Sequence, residues 1–149
     1  MAETAVEQTG GSAARDYRLE DQIGFILRKA SQRHLSIFAG LVPGLTAMQF
    51  AALAKLFALG PLSQNGLGRE TAMDAATIKG VVDRLAQRGL VTTSQNRTDR
   101  RRMVVDLSPT GAELFARLAE TALQVSERTL APLNPAERKS LLHLLARLT

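Results

Sequence analysis

The sequence predicts a mainly α-helical chain with one small β-hairpin, and three observations predict it. Apolar residues recur at three- and four-residue spacing along most of the chain, the rhythm changes once to short β-prone runs between Leu90 and Leu107, and capping residues stand where helices should begin. Leu19, Ile23, Ile26, Leu27, Ala30, His34, Ile37, Phe38 and Leu41 form the stripe of a long first helix, which must end before Pro43 and Gly44. Thr46 with Gln49 three residues later makes a capping box, and Phe50, Leu53, Leu56 and Phe57 carry a second helix to Gly60 and Pro61. A short element over 63–71, a break at Ala72 and Met73, and a helix over 74–88 closed by Gly89 follow. Residues 90–94 and 103–107 are the strands, joined by a polar, arginine-rich loop. Ser108 caps a helix with Pro109 in its first turn, and Asn134, Pro135 and Glu137 open the last one.

With 149 residues, 45% of them hydrophobic, the chain can close one core, and we expect a single domain over 16–149. Residues 1–15 are small and polar, with Gly10, Gly11 and Ser12, and are expected to form a flexible tail. No run of eighteen apolar residues is present and no basic-then-apolar leader opens the chain, so a cytoplasmic protein with no membrane partner is expected. The absence of cysteine removes disulfides, thiolate metal sites and thiol nucleophiles. No Gly-rich phosphate loop occurs, and the two histidines, His34 and His143, stand in no metal-type spacing, so no enzyme activity, cofactor or metal is expected.

The net charge of +5 favours a polyanionic partner, and its placement sharpens the point. Arg84, Arg88, Arg97, Arg100, Arg101 and Arg102 crowd one segment, against Asp99 within it and Asp83 just outside. The two tightly joined helices over 63–88 followed by a hairpin read as a helix-turn-helix with a wing, a lobe over 46–107. On its second helix Ile78, Val81, Val82 and Leu85 face the core, which leaves Ala75, Ala76, Thr77, Lys79 and Gly80 on the other side. Such short side chains permit close approach to base edges: Thr77 or an alanine can meet a thymine methyl, and Lys79 can reach guanine or a phosphate. Gly80 in mid-helix costs on the order of 1 kcal/mol against alanine, which asks for a close neighbour, either DNA or a packed helix. An ordinary solvated helix face is the competing account. Arg97, Arg100, Arg101 and Arg102 in the loop have no internal need for so much charge, and an arginine at a hairpin tip can enter a minor groove while its neighbours neutralise phosphates. Asp99 is expected to hold one of them by a bidentate pair.

The segment from Met73 to Gly111 resembles the MarR family of winged-helix regulators. Asp83, Arg84, Leu85, then Arg88, Gly89, Leu90, Val91 are similar to that family's recognition-helix end and strand entry, and Thr98, Asp99, Arg100, Arg101, a short apolar strand, Leu107, Thr110 and Gly111 to its wing and following helix. The extra Arg102 departs from the pattern and allows the tip to shift by one position. Tyr17, Arg18, Leu19, Glu20, Asp21 and Gln22 are similar to the opening of regulators of nicotinate or hydroxycinnamate breakdown. The resemblance implies a ligand-responsive repressor acting as a homodimer, with recognition helices, including Arg84, in successive major grooves of a pseudo-palindromic operator in double-stranded DNA. Residues 16–45 and 108–149 would be its dimerisation helices, and Leu141, Leu142, Leu144, Leu145 and Leu148 supply more apolar surface than a terminal helix can hide alone. The effector implied is a small aromatic carboxylate held in a cleft, with Arg33 and His34 as polar partners and Phe38, Met48, Gln49 and Phe50 as walls. A winged helix that binds protein and not DNA stays open as the second reading, because fold alone does not fix function.

Overall fold

The computed structural model describes residues 11–149. They divide into two compact units, one ending at Arg33 and one running from His34 to Thr149.

In the first unit, α1 (Gly11–Asp16) is a short helix inside the span expected to be a tail; Ala13, Ala14 and Arg15 are strong helix formers, and Ser12 Oγ donates to Asp16 Oδ2 at 3.3 Å. The rest of the expected tail lies outside the described residues. A single 3-10 turn, Leu19–Asp21, precedes α2 (Ile23–Leu41), so the long helix starts four residues later than the apolar stripe implied. The unit boundary falls inside α2.

The second unit holds the lobe. After α2 come α3 (Ala47–Leu59), β1 (Leu62–Ser63), α4 (Gln64–Glu70) and α5 (Ala75–Gln87). Then follow β2 (Val91–Gln95), β3 (Met103–Leu107), α6 (Pro109–Thr129) and α7 (Pro135–Ala146). Each helix from α3 on opens on a side chain that accepts a backbone N–H: Thr46 from Gln49, Ser63 from Gly66, Asp74 from Thr77, Ser108 from Gly111 and Asn134 from Glu137. At Thr46 and Asn134 the box is reciprocal. The sheet is three-stranded and antiparallel in the order β1-β3-β2, one strand more than expected; β1 contributes two residues, Leu62 opposite Val105 and Ser63 opposite Val104, too few to leave an alternating pattern.

The core collects Phe38, Val42, Leu53, Leu56, Leu67, Ile78, Val82, Leu85 and Val105, with α3, α4 and α5 packed over the sheet. Two close approaches fix this packing. A Cβ on Gly68 of α4 would come within 3.1 Å of Ile78 Cγ2, so α4 and α5 meet nearly backbone to side chain. A Cβ on Gly111 would collide with the Leu90 carbonyl oxygen, the same oxygen that accepts the Ser108 N–H. Only glycine fits there, and α6 is thereby set against the entry to β2.

Candidate DNA-reading face and effector groove

The turn between α4 and α5 is tight. Ala72 adopts φ 54°, a left-handed conformation that brings its Cβ near its own carbonyl, and Met73 N donates to Gly68 O at 2.8 Å. Asp74 then caps α5; the Thr77 backbone N–H at 2.7 Å, helped by the Thr77 hydroxyl, holds its carboxyl below the usual carboxylate range. The helix ends in a Schellman motif, with Leu90 N donating to Leu85 O, Gly89 N to Ala86 O, and Gly89 in the left-handed region at φ 70°. Both ends of α5 are therefore specified by its own sequence. Arg88 at the C-cap adds a tie across the lobe, its Nη1 donating to the Gly44 carbonyl at 2.5 Å.

With Ile78, Val81, Val82 and Leu85 buried, Ala75, Ala76 and Lys79 are exposed and Thr77 and Gly80 half-buried on the outer side. Lys79 is paired with Asp83 at 2.6 Å, one turn on. No described residue lies within 4 Å of a Cβ built on Gly80, so none of the described helices is the reason for that glycine. Arg84 is exposed on the same helix.

The wing loop is ordered by two short side chains. Asn96 Oδ1 accepts from Thr98 N (2.9 Å), Thr98 Oγ1 (2.7 Å) and Asp99 N (3.2 Å), and Asp99 Oδ1 accepts from Arg101 N at 3.0 Å. The β2–β3 ladder carries this loop in a single register, Gln95 opposite Met103. Asp99 Oδ2 meets Arg102 Nε at 3.3 Å, a single contact and not the expected bidentate pair, since its second oxygen is taken by the Arg101 amide. Arg97, Arg100 and Arg101 form no ion pair with a described residue, and all three are exposed.

A groove of ≈ 600 Å³ runs along α5. One wall is Ala76, Thr77, Gly80, Val81 and Arg84; the other is Leu35 from α2 with Thr46, Ala47 and Met48 at the start of α3. Of the six residues expected at a ligand, Met48 lines it. Phe38 is buried in the core with its ring edge-on to Phe50 at 5.8 Å, and Phe50 lies 5.3 Å from Phe115. Gln49 is buried and answers the Thr46 cap. His34 Nδ1 lies 3.0 Å from Thr129 Oγ1; since that hydroxyl donates to the Val125 carbonyl, the imidazole is the donor and Nε2 remains. Arg33 belongs to the first unit. Leu35, Thr46, Ala47 and Val81 were not anticipated as groove residues, because the groove joins positions some thirty to fifty apart in sequence and carries no local signal. Among the described residues no cluster of three metal-type ligands occurs, and no helix is long and apolar enough to cross a membrane.

The MarR family pattern matches residues 45–103, from just before α3 through β2 and the wing loop to the first residue of β3. The HTH-type transcriptional repressor NicR of Pseudomonas putida is 42% identical over 134 residues, covering 89% of this chain and 85% of that protein. A probable transcriptional regulator from Pseudomonas aeruginosa superimposes with a TM-score of 0.83 at 53% identity, over 89% of this chain and all of that one. The regulator BpsR of Bordetella bronchiseptica, whose DNA binding is regulated by 6-hydroxynicotinic acid, superimposes with a TM-score of 0.84 at 39% identity, over 89% of this chain and 96% of its own. The capped α4–α5 pair, the three-stranded wing and these likenesses agree, and the chain belongs to the MarR family of winged-helix DNA-binding regulators.

Proposed function

We propose that this chain is a homodimeric repressor that holds a pseudo-palindromic operator and releases it when a small aromatic carboxylate binds. The observation that carries the reading is the wing: three exposed arginines without ion pairs to described residues, held on a ladder of fixed register beside a helix whose outer face is short-chained. In this reading Arg97, Arg100, Arg101 and Arg102 follow the minor groove and its phosphates, Ala75, Ala76, Thr77, Lys79 and Gly80 approach major-groove base edges, and Arg84 takes a phosphate. Lys79 must exchange Asp83 for DNA, which lowers its net gain. A second copy covers α7, where Leu142 and Leu144 stay more than half exposed. Relatives support the regulatory part: NicR is a repressor, and BpsR responds to 6-hydroxynicotinic acid.

The effector would lie in the groove, its ring against Leu35, Met48 and Val81 and its carboxylate toward Arg84. His34, whose Nδ1–H is given to Thr129, would offer Nε2 as an acceptor for a hydroxyl of the effector ring, with Phe38, Gln49 and Phe50 as the packed layer that gives α2 and α3 their positions; Arg33 belongs to the first unit and has no part in this groove. Thr77, Gly80 and Arg84 serve both ligands, so effector and duplex favour different settings of one helix and each weakens the other.

The test is a selection from random duplexes, followed by titration of the selected duplex with 6-hydroxynicotinic acid and benzoate-type acids. Recovery of a two-fold related sequence whose binding weakens steeply with salt, and which an aromatic acid releases, is the expected result. No enrichment of any sequence would refute operator binding, and indifference to every acid would refute the effector.

A further inference from the structure

A second concavity of the lobe, ≈ 230 Å³, opens where the wing root meets α4, away from the residues that line the α5 groove. Arg101 and Arg102 line it from the β3 side and Gln64, Asn65 and Arg69 from α4, with the hydroxyl of Ser63 beside them. No carboxylate lines it. Glu70, the acid next to Arg69, is engaged with Lys55 at 3.2 Å, and Asp99 pairs with Arg102 while its other oxygen takes the Arg101 backbone N–H. Arg69 and Arg101 make no ion pair with a described residue, and the carboxamides of Gln64 and Asn65 keep their N–H donors. Three guanidinium groups, from segments more than thirty residues apart, are thus brought to one polar notch, and of the three only Arg102 is paired with an acid. Like charges brought together in this way repel unless an anion joins them. The notch has several times the ~30 Å³ that one water takes in the liquid, room for a tetrahedral oxyanion.

We propose that this notch seats a phosphate group, gripped by the forked N–H donors of Arg69, Arg101 and Arg102 and steadied by the Gln64 and Asn65 amides. The phosphate comes either from the backbone of the strand the wing follows, in which case the seat rests on the DNA-binding reading, or from a soluble phosphate compound. A backbone phosphate here would tie α4 and the wing to one strand and fix their spacing on the duplex.

Arg69→Gln in the full chain separates the possibilities, with Arg117→Gln on α6 as a control of equal charge change and thermal melting to verify that both variants fold. Log affinity for the selected duplex is measured against log salt. If the seat takes a backbone phosphate, the slope becomes shallower by about 0.9 in Arg69→Gln and is unchanged in Arg117→Gln, with affinity lost equally on specific and unrelated sequences. In parallel, inorganic phosphate and pyrophosphate are titrated against chloride at matched ionic strength, with the side-chain amide signals of Gln64 and Asn65 followed by NMR. Saturable shifts that vanish in Arg69→Gln, with the DNA slope unmoved or no duplex bound at all, assign the seat to a soluble phosphate. An unmoved slope together with no saturable shift overturns the proposal, whatever sequence the parent prefers. Failure of operator recognition shows separately, as loss of sequence selection in the parent with the phosphate titration unaffected.

Discussion

The lobe and the terminal helix treat their apolar side chains in opposite ways. In the lobe Leu53, Leu56, Leu67, Ile78, Leu85 and Val105 are between 0 and 2% exposed, whereas in α7 Leu142 and Leu144 keep 56% and 53% of their surface. An interior of the first kind is complete within one chain; a surface of the second kind is finished only by another. The lobe thus closes its own core and presents α5 and the wing, whereas α7 is the face that the proposed dimer would cover. The sharpest way to break this contrast is at Gly111. Its Cβ would collide with the Leu90 backbone carbonyl, and no rotamer relieves that. Gly111→Ala is expected to cost at least about 4 kcal/mol, read as loss of the cooperative melt. A small change in melting would mean that α6 is not welded to the wing.

Next in size, Leu53→Ala empties a fully buried site and should cost about 2–5 kcal/mol by chemical denaturation. Leu142→Glu should leave the unfolding free energy of the dilute monomer within about 0.5 kcal/mol of the parent, while abolishing association in sedimentation equilibrium. If Leu142→Glu instead unfolds the monomer, or leaves the mass of the particle unchanged, α7 is not the face that the dimer covers.

Signals that act within one turn were readable from the sequence, and signals that act across the fold were not. The caps at Thr46, Ser108 and Asn134, the α5 core stripe and the glycine stop at Gly89 are each specified by residues three or four apart, and each stands where expected; Ser63 and Asp74, read as the first residues of their elements, prove to be caps. The start of α2 was misplaced because Leu19 continues the apolar stripe although its backbone has turned 3-10. Strand β1 escaped because two residues have no period. Ala72 in a left-handed turn escaped because alanine does not advertise one. At the site, the arginines of the wing were legible as a cluster, but not that Asp99 spends one oxygen on a backbone amide. Nor were the ties Arg88 to Gly44 and His34 to Thr129, which span 44 and 95 residues.

A gentler probe asks whether the lobe has an open place of its own. Gly80 faces empty space on the outer side of α5, so Gly80→Ala should raise stability by roughly 0.5–1 kcal/mol while weakening duplex binding, since its methyl stands between the helix and its partner. Greater stability with unaltered duplex affinity would show that Gly80 does not face DNA. Thr46→Ala, by contrast, removes the cap of α3 and should cost about 1 kcal/mol.

The smallest effect is set by pH at the entry to α5. The folded Asp74 carboxyl lies below its usual 3.8, so the charged form is favoured by folding. Its contribution is therefore complete above that value and is lost as pH falls through the depressed folded value, when the unfolded chain binds the proton first. Asparagine caps nearly as well without titrating. Asp74→Asn should then melt close to the parent at neutral pH, and the parent should fall relative to the variant as the solution is acidified below 3.8. Curves that stay parallel over the whole acid range would show that the Thr77 N–H does not distinguish the charged cap from the neutral one, and that α5 is held in place by its buried face alone.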